Sequence, residues 1–405
     1  MEIKDFENLV KPLLKDGETF LSYECESLLP PGENYGSTML DVRVKITNEN
    51  GEEKTVYYVG KTPPPPGLLW SVFNTKVTFK KEIALYNSVI PIFNEFGRER
   101  GVEHLIEFIA ECKCARTSLN PESTEVDANA ALLMENLKLQ GYSVDDRFIG
   151  FDFETTKLLL RDLATLHSTV IAFKLAKPQE FEAKILPNLS KHPLVEFSKD
   201  LESQSHNKIL EPLRANPECA PYVSKLEAVM ANITRTLANP PETREIFKTL
   251  THNDYWVNNT MVKYENDQPV SNKMVDFQMI EFTSLANDVI FFLYSSVELN
   301  VLENHLDKLF EYYYNSFVES LKKLGGDVSD YTFEEMMEEF AIVGKEIQLY
   351  HVLFMLMPIM TLKGKAKELS EIQLTDILAE ESSLHENYHK RMKFVVLDFG
   401  QRGWL

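Results

Sequence analysis

Cysteine is scarce in this sequence, and the few that occur form no framework. The 405 residues include four cysteines, which are Cys25, Cys112, Cys114 and Cys219. Cys112 and Cys114 flank a single lysine, so their spacing is too close for a zinc knuckle of the C-x-x-C type. We therefore expect reduced thiols rather than a disulfide scaffold or a cysteine-bound metal.

Positive charge is also in short supply. Lys and Arg together number 42 against 62 Asp and Glu, which gives a formal net charge of -20 at pH 7. Binding to nucleic acid or to an anionic membrane surface needs clustered Lys and Arg that displace counterions. The charge balance therefore argues against both kinds of partner, and any bound phosphate must be met locally by a lysine and a metal ion.

The sequence has no long apolar run. No stretch approaches the roughly 18 apolar residues of a membrane span, and residues 1–7 lack the apolar core of a signal peptide. We therefore predict a cytoplasmic protein without a membrane segment. With 44% hydrophobic and 11% aromatic residues the chain can bury a large core, and its length favours two lobes or domains.

The residues with the clearest chemistry lie in two neighbouring segments. The first contains His252, Asp254 and Asn259, and in the second Asp276 ends a short apolar strand. Phosphoryl transfer needs one base to orient the attacking hydroxyl, and hard oxygen ligands for the metal ions that bridge the phosphates. Asp254 fits the base, and Asn259 with Asp276 fits the pair that holds magnesium. Such clusters also occur in ordinary loops, where the side chains bond their own backbone.

The spacing of these residues resembles a known group of enzymes. H-x-D-x-x-x-x-N, followed about twenty residues later by Asp-Phe-Gln, is similar to the catalytic and metal loops of choline kinases and aminoglycoside phosphotransferases. Within that group, His-Asn-Asp-Tyr-Trp-Val-Asn-Asn and Val-Asp-Phe-Gln most resemble the ecdysteroid kinase-like family. The resemblance implies ATP and Mg2+ as cofactors, and it counts His252 among the catalytic residues with Asp254 and Asn259.

The same resemblance implies an architecture. We expect an α+β, protein-kinase-like fold of two lobes, with a small antiparallel sheet in residues 1–137 and a larger, mainly helical lobe in residues 138–405. ATP and Mg2+ are expected to bind between the two lobes.

A strand lysine is the expected phosphate ligand of the first lobe. Lys61 ends the β-rich run 55–61, where a charged side chain is unusual. Lys54 begins that strand and Lys45 precedes a turn, so both are weaker candidates. In kinase-fold enzymes such a lysine reaches the α- and β-phosphates and pairs with a glutamate on the next helix.

The glutamate that this pair requires is assigned to Glu82. It shares the apolar side of the next predicted helix with Phe79 and Tyr86, which is costly for an unpaired carboxylate. We therefore predict an ion pair between Lys61 and Glu82. The other candidate partners of Glu82 are Lys80, Lys81 and Tyr86.

Two further segments are assigned by resemblance. The turn Gly-Glu-Asn-Tyr-Gly-Ser departs from the G-x-G-x-x-G of protein kinases and by itself predicts an ordinary hairpin, yet it resembles the nucleotide loop of the ecdysteroid kinase-like family. The residues carried over are Asn34, Tyr35, Gly36 and Ser37. Glu135 and Leu137 resemble positions of the connector whose backbone meets adenine. A buried edge strand would have the same sequence pattern.

The remaining pattern predicts the elements around these residues. We predict strands at 20–28, 38–46, 105–116 and 130–137, and helices at 2–15, 75–90, 153–171, 195–214, 220–238, 302–324, 332–357 and 375–399. Several aromatic and methionine side chains of the later helices fit either a ligand cavity or an ordinary core. They are Tyr312, Tyr313, Tyr314, Phe317, Met336, Met337, Met355 and Met357.

Two aspartates outside these segments need separate interpretations. Asp288 begins a predicted helix and resembles the aspartate that braces the catalytic-loop backbone in kinase folds, although helix capping is the simpler role. Asp398-Phe-Gly spells the magnesium motif of protein kinases, but the metal aspartate should follow the catalytic loop closely. We therefore assign the metal role to Asp276 and expect Asp398 at the surface.

Together these features predict an enzyme that transfers the γ-phosphoryl group of ATP to an alcohol on a small molecule. The short stretch from Asp276 to Asn287 leaves no room for the activation segment of a protein kinase, which disfavours peptide acceptors. The resemblance implies a steroid alcohol or a xenobiotic toxin as the acceptor, with choline, ethanolamine or an aminoglycoside as the alternative. A catalytically inactive protein that binds a small apolar ligand is a further alternative, which the joint presence of Lys61, Asp254, Asn259 and Asp276 disfavours.

Overall fold

The first part of the chain forms an antiparallel sheet. The computed structural model describes residues 2–29, 36–191, 199–362 and 381–405. The strands are β1 (Thr19–Ser27), β2 (Thr38–Thr47), β3 (Glu53–Thr62), β4 (Cys112–Arg116) and β5 (Ala131–Glu135). Within the described ranges they make a sheet of five strands in the order β1-β2-β3-β5-β4, with every neighbouring pair antiparallel. The strands predicted at 20–28, 38–46, 55–61 and 130–137 are confirmed.

Alternation of apolar and polar residues decides which face of this sheet is covered. In β2, Val42 and Val44 are buried, whereas Arg43 and Lys45 are exposed. The buried side chains pack against helix α1 (Phe6–Val10) and form a small core of their own. The opposite face of the sheet faces the large core, which continues through the rest of the protein.

Helices between β3 and β4 run further than the sequence predicts. They are α2 (Leu68–Val72), α3 (Thr75–Ala84) and α4 (Ile90–Glu99), and a π-helical turn at Leu85–Val89 joins the last two. The sequence predicts that this helix ends near residue 90. In the structure Pro91 falls in the first turn of α4, where its missing N–H is tolerated.

The strand predicted at 105–116 is wrong for its first half. Only Cys112–Arg116 pairs with β5, and residues 103–108 form turns. The apolar run is nevertheless buried, because the main chain at Phe108 and Ala110 bonds to Met274 in a later part of the chain, at 2.6 and 3.0 Å. The run therefore attaches the sheet to the helical part instead of lengthening β4.

The rest of the described chain is mainly helical. Its strands are β6 (Tyr142–Ser143), β7 (Lys248–Thr251), β8 (Thr260–Glu265), β9 (Gln268–Met274) and β10 (Glu281–Ser284). Its helices are α5 (Phe153–Ala176), α6 (Pro178–Glu180), α7 (Lys199–Ala215), α8 (Ala220–Ala238), α9 (Ala286–Ser296), α10 (Leu299–Lys323), α11 (Phe333–Val343), α12 (Leu349–Ile359) and α13 (Asn387–Gln401). The predicted α+β class, with a small antiparallel sheet before a mainly helical region, is confirmed. The boundary at residue 137 stays a prediction.

The helical predictions differ from the structure mainly at helix ends. A π-helical turn at Gly344–Gln348 separates α11 from α12, which the sequence predicts as one helix. Residues 192–198 and 363–380 lie outside the described residues, and with them the first part of two predicted helices. Tyr313, Phe317 and Met336 have no exposed surface and fill the core, so the cavity interpretation is wrong for these three.

The sequence predicts Asp398 at the surface, but in the structure its side chain is held by contacts within the protein. It lies in α13, accepts a hydrogen bond from the Tyr294 hydroxyl, and binds Arg402 Nε at 2.7 Å. Its side chain is 14% exposed. The Asp-Phe-Gly sequence therefore belongs to helix packing, as its distance from the catalytic loop indicates. Separately, the helices of the described residues include none with both the length and the apolar character of a transmembrane segment.

A buried carboxyl group in α5 makes the stability of the fold depend on pH. Asp162 is 7% exposed; it accepts hydrogen bonds from Arg161 Nε at 3.0 Å and from Asn272 Nδ2 at 2.7 Å. Burial raises its pKa from 3.8 to about 6. The unfolded chain therefore releases this proton first as the pH rises, and the carboxyl group destabilises the folded state progressively between about pH 4 and pH 6.

We expect Asp162→Asn to remove this dependence. Between pH 4 and pH 7, the variant should gain up to about 3 kcal/mol in unfolding free energy relative to the parent, as measured by urea denaturation. Asp127→Asn is the control and should change the free energy of unfolding in the opposite direction. Partial burial raises the pKa of Asp127, but hydrogen bonds from Ser118 and Asn129 outweigh it, so the net pKa is lowered. If the unfolding free energies of the parent and of Asp162→Asn changed with pH in the same way, Asp162 would not be the cause of the pH dependence.

Candidate active site

A buried aspartate fixes the loop that follows β7. β7 pairs with β10 and ends at Thr251, and the chain then turns through Asn253, which has a positive φ of 60°. The main-chain N–H groups of His252 and Asn253 both donate to the carboxylate of Asp288, at 2.7 Å each. Asp288 itself lies in the first turn of α9. The predicted brace between this helix and the loop is confirmed.

His252 points into the protein. It has no exposed surface; its Nε2–H donates to the Val275 carbonyl at 3.0 Å, and its Nδ1 accepts from the Asp254 N–H at 3.3 Å. Those two bonds require the neutral ring with the proton on Nε2. Burial lowers its pKa, which also favours the neutral form. His252 therefore positions Asp254 against the strand that leads to Asp276, and it is not placed to touch a substrate.

Asp254 and Asn259 are held together. Asn259 Nδ2 donates to Asp254 Oδ2 at 2.8 Å and to the Asp254 carbonyl oxygen at 2.7 Å. Because the amide nitrogen is used in this way, the oxygen Oδ1 is the atom of Asn259 that has lone pairs for a metal. The Asn259 carbonyl oxygen accepts a hydrogen bond from the Val275 N–H at 3.0 Å. This bond ties Asn259 to the residue that directly precedes Asp276.

Lys61, Glu82 and Asp276 form a buried ion cluster. Lys61 Nζ lies 2.7 Å from Glu82 Oε2 and 2.7 Å from Asp276 Oδ1, and its side chain is 2% exposed. Burial lowers the pKa of Lys61, but the two carboxylates more than compensate, so its net pKa is raised and the ammonium stays charged. Asp276 has a φ of 65°, which non-glycine residues rarely adopt and which turns its carboxylate toward Lys61.

The other partners considered for Glu82 are engaged elsewhere or are not charged. Lys80 lies at the surface beside Glu125, at 3.2 Å. Lys81 Nζ donates to the Ile280 carbonyl at 3.0 Å. Besides its ion pair with Lys61, Glu82 accepts a hydrogen bond from the Phe277 N–H at 3.1 Å. Helix α3 is therefore bonded to the segment after Asp276 through its Lys81 and Glu82 side chains.

The nucleotide-loop residues are described only in part. Asn34 and Tyr35 lie outside the described residues. Ser37 is 1% exposed, and its hydroxyl lies 3.6 Å from Met39 Sδ. Gly36 lies so close to the segment after Asp276 that an added Cβ would be 2.9 Å from Gln278 Oε1. The second half of this loop therefore packs against the proposed metal segment.

At the connector, the side chain of Glu135 is occupied within the protein. Its Oε1 accepts from the Glu111 N–H at 2.8 Å, and its Oε2 accepts from Gln140 Nε2 at 2.7 Å. Leu137 is buried and begins a 3-10 turn, Leu137–Gln140. Main-chain N–H groups at the start of such a turn have no partner within it. Any contact between this connector and a base would use main-chain atoms.

The oxygen ligands of this site suit magnesium. Burial and, second to it, the nearby Asp276 carboxylate raise the pKa of Asp254 to about 8, and a divalent cation bound beside these carboxyl groups would favour their charged forms. The described residues contain no group of three or more His, Cys, Asp or Glu side chains that could form a metal cage. Mg2+ is commonly bound by one or two protein ligands together with substrate phosphates, so Asn259 and Asp276 fit that ion.

Sequence reasoning missed two residues of this region. The sequence indicates Lys81 only as a candidate partner of Glu82, and it indicates no role for Gln278. Both lie where residues far apart in the sequence meet, because Lys81 contacts Ile280 and Gln278 contacts Gly36. The Asp-Phe-Gln motif itself was the only local signal, since it places a polar residue directly after a buried phenylalanine.

Comparison with known proteins gives one family match. The model of the Ecdysteroid kinase-like family matches residues 31–326, a span that contains every residue of the candidate site described above. No curated protein matches the sequence.

Solved structures with a similar shape were also found. The GDP complex of the aminoglycoside 2'-phosphotransferase-IIIa F108L mutant has a TM-score of 0.42 and 12% identity, over 88% of this chain and 90% of that one. Spectinomycin phosphotransferase APH(9)-Ia, in complex with ADP and spectinomycin, has a TM-score of 0.41 and 12% identity, over 100% and 99% of the two chains. The GDP and kanamycin complex of APH(2")-IIIa has a TM-score of 0.38 and 14% identity, over 84% and 97%.

Proposed function

The chain belongs to the ecdysteroid kinase-like family, which makes it a small-molecule kinase by type, and on that premise we propose that it phosphorylates an alcohol on a steroid or a toxin. The phosphoryl donor is ATP, with Mg2+ as the metal. The observation that carries the proposal is the meeting of Lys61, Asp276 and the Asp254–Asn259 pair, which come from three separate parts of the chain.

Each of these side chains has one task in the proposed reaction. Lys61, held by Glu82, binds the α- and β-phosphates. Asn259 and Asp276 would hold Mg2+, which when bound would offset the negative charge of the phosphates. Asp254 accepts a hydrogen bond from the acceptor hydroxyl and takes its proton. The alcohol oxygen then bonds to the γ-phosphorus as the bond from that phosphorus to the bridging oxygen breaks, and ADP leaves.

The segment after Asp276 supports a small acceptor. The 3-10 turn Phe277–Met279 leads directly into β10, which pairs with β7, and α9 begins at Ala286. A protein kinase needs a long activation segment at this point to hold a peptide. The compact connection therefore favours a small molecule, and the family favours a steroid or toxin alcohol over choline or an aminoglycoside.

The experiment that tests this function is an acceptor screen. The parent protein is incubated with ATP, Mg2+ and a panel of steroids, toxins, amino alcohols and aminoglycosides, and mass spectrometry detects the gain of one phosphate. We expect phosphate on a steroid or toxin alcohol, and none with Asp254→Asn. Tight binding of an acceptor without ATP consumption would instead favour the inactive binding protein, and phosphate on an amino alcohol would favour the choline-type alternative.

A further inference from the structure

Gln278 is a buried amide with an unused donor beside the proposed phosphate site. It lies two residues after Asp276 and is 6% exposed. In the part of the chain that the structure describes, its Nε2 has no hydrogen-bond partner. Its Oε1 faces Gly36, where an added Cβ would be 2.9 Å away. A buried amide donor without a partner costs free energy and is uncommon in folded proteins.

The main chain around Gln278 is fixed on both sides. The Phe277 N–H donates to Glu82 at 3.1 Å, and the Met279 carbonyl accepts from Asn253 Nδ2 at 3.1 Å. The short turn that contains Gln278 is thereby tied both to α3 and to the loop that contains Asp254. The side-chain oxygen of Gln278 lies toward Gly36, in the second half of the predicted nucleotide loop.

The charges nearby explain why a neutral donor suits this position. Asp254, Asp276 and Glu82 bring three carboxyl groups to the site, and Lys61 Nζ lies 2.7 Å from both Glu82 and Asp276. A second lysine or arginine would form an ion pair with these carboxylates and compete with Mg2+ for them. An amide N–H can bond an anionic phosphate oxygen without binding a metal or cancelling a carboxylate.

We propose that Gln278 is a phosphate-binding residue, whose side-chain N–H donates to an oxygen of the γ-phosphate of bound ATP. The nucleotide loop at Gly36 covers the carbonyl side of the same amide, so glycine is needed there to let the loop approach. This inference rests on the proposed function and adds a residue that recognises the transferred group. It also gives the unused donor a partner that is present only when ATP is bound.

The test compares two nucleotides and the stability of the nucleotide-free protein. Gln278→Met keeps the length of the side chain and removes the donor. By titration calorimetry with Mg2+, its affinity for a non-transferable ATP analogue should fall about tenfold to a hundredfold, whereas its affinity for ADP should change by less than about threefold. Without nucleotide its melting temperature should stay the same or rise, because a buried unpaired donor has been removed.

Gln348→Met is the matched control. Gln348 is 3% exposed, but its Nε2 donates to Asn287 Oδ1 at 2.8 Å. Removing that donor should lower the melting temperature and leave the ratio of ATP to ADP affinity unchanged. Equal losses for the two nucleotides, or a lower melting temperature for Gln278→Met, would overturn the inference and leave the proposed function standing. If the parent binds no nucleotide with Mg2+, both fail together.

Discussion

Asp254→Asn is expected to slow phosphoryl transfer by about a hundredfold to ten-thousandfold, which is the usual contribution of a positioned general base. The asparagine can still accept the hydrogen bond that Asn259 Nδ2 now gives to Asp254 Oδ2, so the loop should keep its shape. What is lost is the group that accepts the proton of the acceptor hydroxyl. The effect should therefore appear in kcat, with the KM for ATP changed by less than about threefold.

The same substitution should not weaken the fold. Burial and Asp276 raise the pKa of Asp254 to about 8, so ionisation of Asp254 opposes folding progressively from about pH 4 up to pH 8. Asp254→Asn removes this ionisable group and should be as stable as the parent at pH 7, or more stable, in urea denaturation. A loss of stability would indicate that any fall in activity comes from misfolding.

Asp398→Asn is the control for this experiment. Asp398 begins an Asp-Phe-Gly sequence, but it is engaged with Tyr294 and Arg402 in helix packing. We expect this variant to retain kcat within about twofold at temperatures well below its unfolding. If Asp254→Asn turned over as fast as the parent while Asp398→Asn did not, the assignment of the base would be wrong.

Lys61→Met is the second prediction with a large effect, and it acts on both function and stability. The substitution leaves Glu82 and Asp276 close together without the ammonium that now contacts both. Removing one partner of a buried ion pair typically costs about 3–5 kcal/mol. We expect a loss of that size in the free energy of unfolding, and a fall in nucleotide affinity of about tenfold or more because the phosphates lose a charged ligand.

Two further variants separate these effects. Lys54→Met lies on the same strand, but Lys54 is 51% exposed and its pair with Glu18 is at the surface, so a loss below about 1 kcal/mol is expected. Lys61→Met combined with Glu82→Gln removes the uncompensated charge as well, and should recover much of the stability but none of the nucleotide affinity. If Lys61→Met were as stable and as active as Lys54→Met, the buried cluster would have no role.

Much of the fold could be predicted because its signals are local. The alternation in β2 reflects one face of one strand meeting the core, and it is visible in the sequence. Helix α5 is buried on nearly every side, and its apolar composition is likewise visible there. Lys61 and Glu82 were also within reach of sequence reasoning, since each is a charged residue on an otherwise apolar face. The strand prediction at 105–116 was wrong in its first half because the main chain at Phe108 and Ala110 bonds to Met274, a contact that the local sequence does not show.

The parts of the site that sequence reasoning missed depend on contacts between distant segments. His252 lies within the catalytic motif, but the sequence does not show that both ring nitrogens are used by main-chain atoms of Val275 and Asp254. The role of Gln278 depends on its closeness to Gly36, which lies far earlier in the sequence.

The central claim is that Lys61, Asn259 and Asp276 form one magnesium–nucleotide site, and a binding measurement tests it without knowledge of the acceptor. The parent and Asp276→Asn are titrated with a non-transferable ATP analogue in the presence and absence of Mg2+. We expect the parent to bind at least about tenfold more tightly with Mg2+ than without it, and Asp276→Asn to lose most of that difference. A parent protein that binds no nucleotide, or one whose affinity is the same with and without Mg2+, would contradict the account.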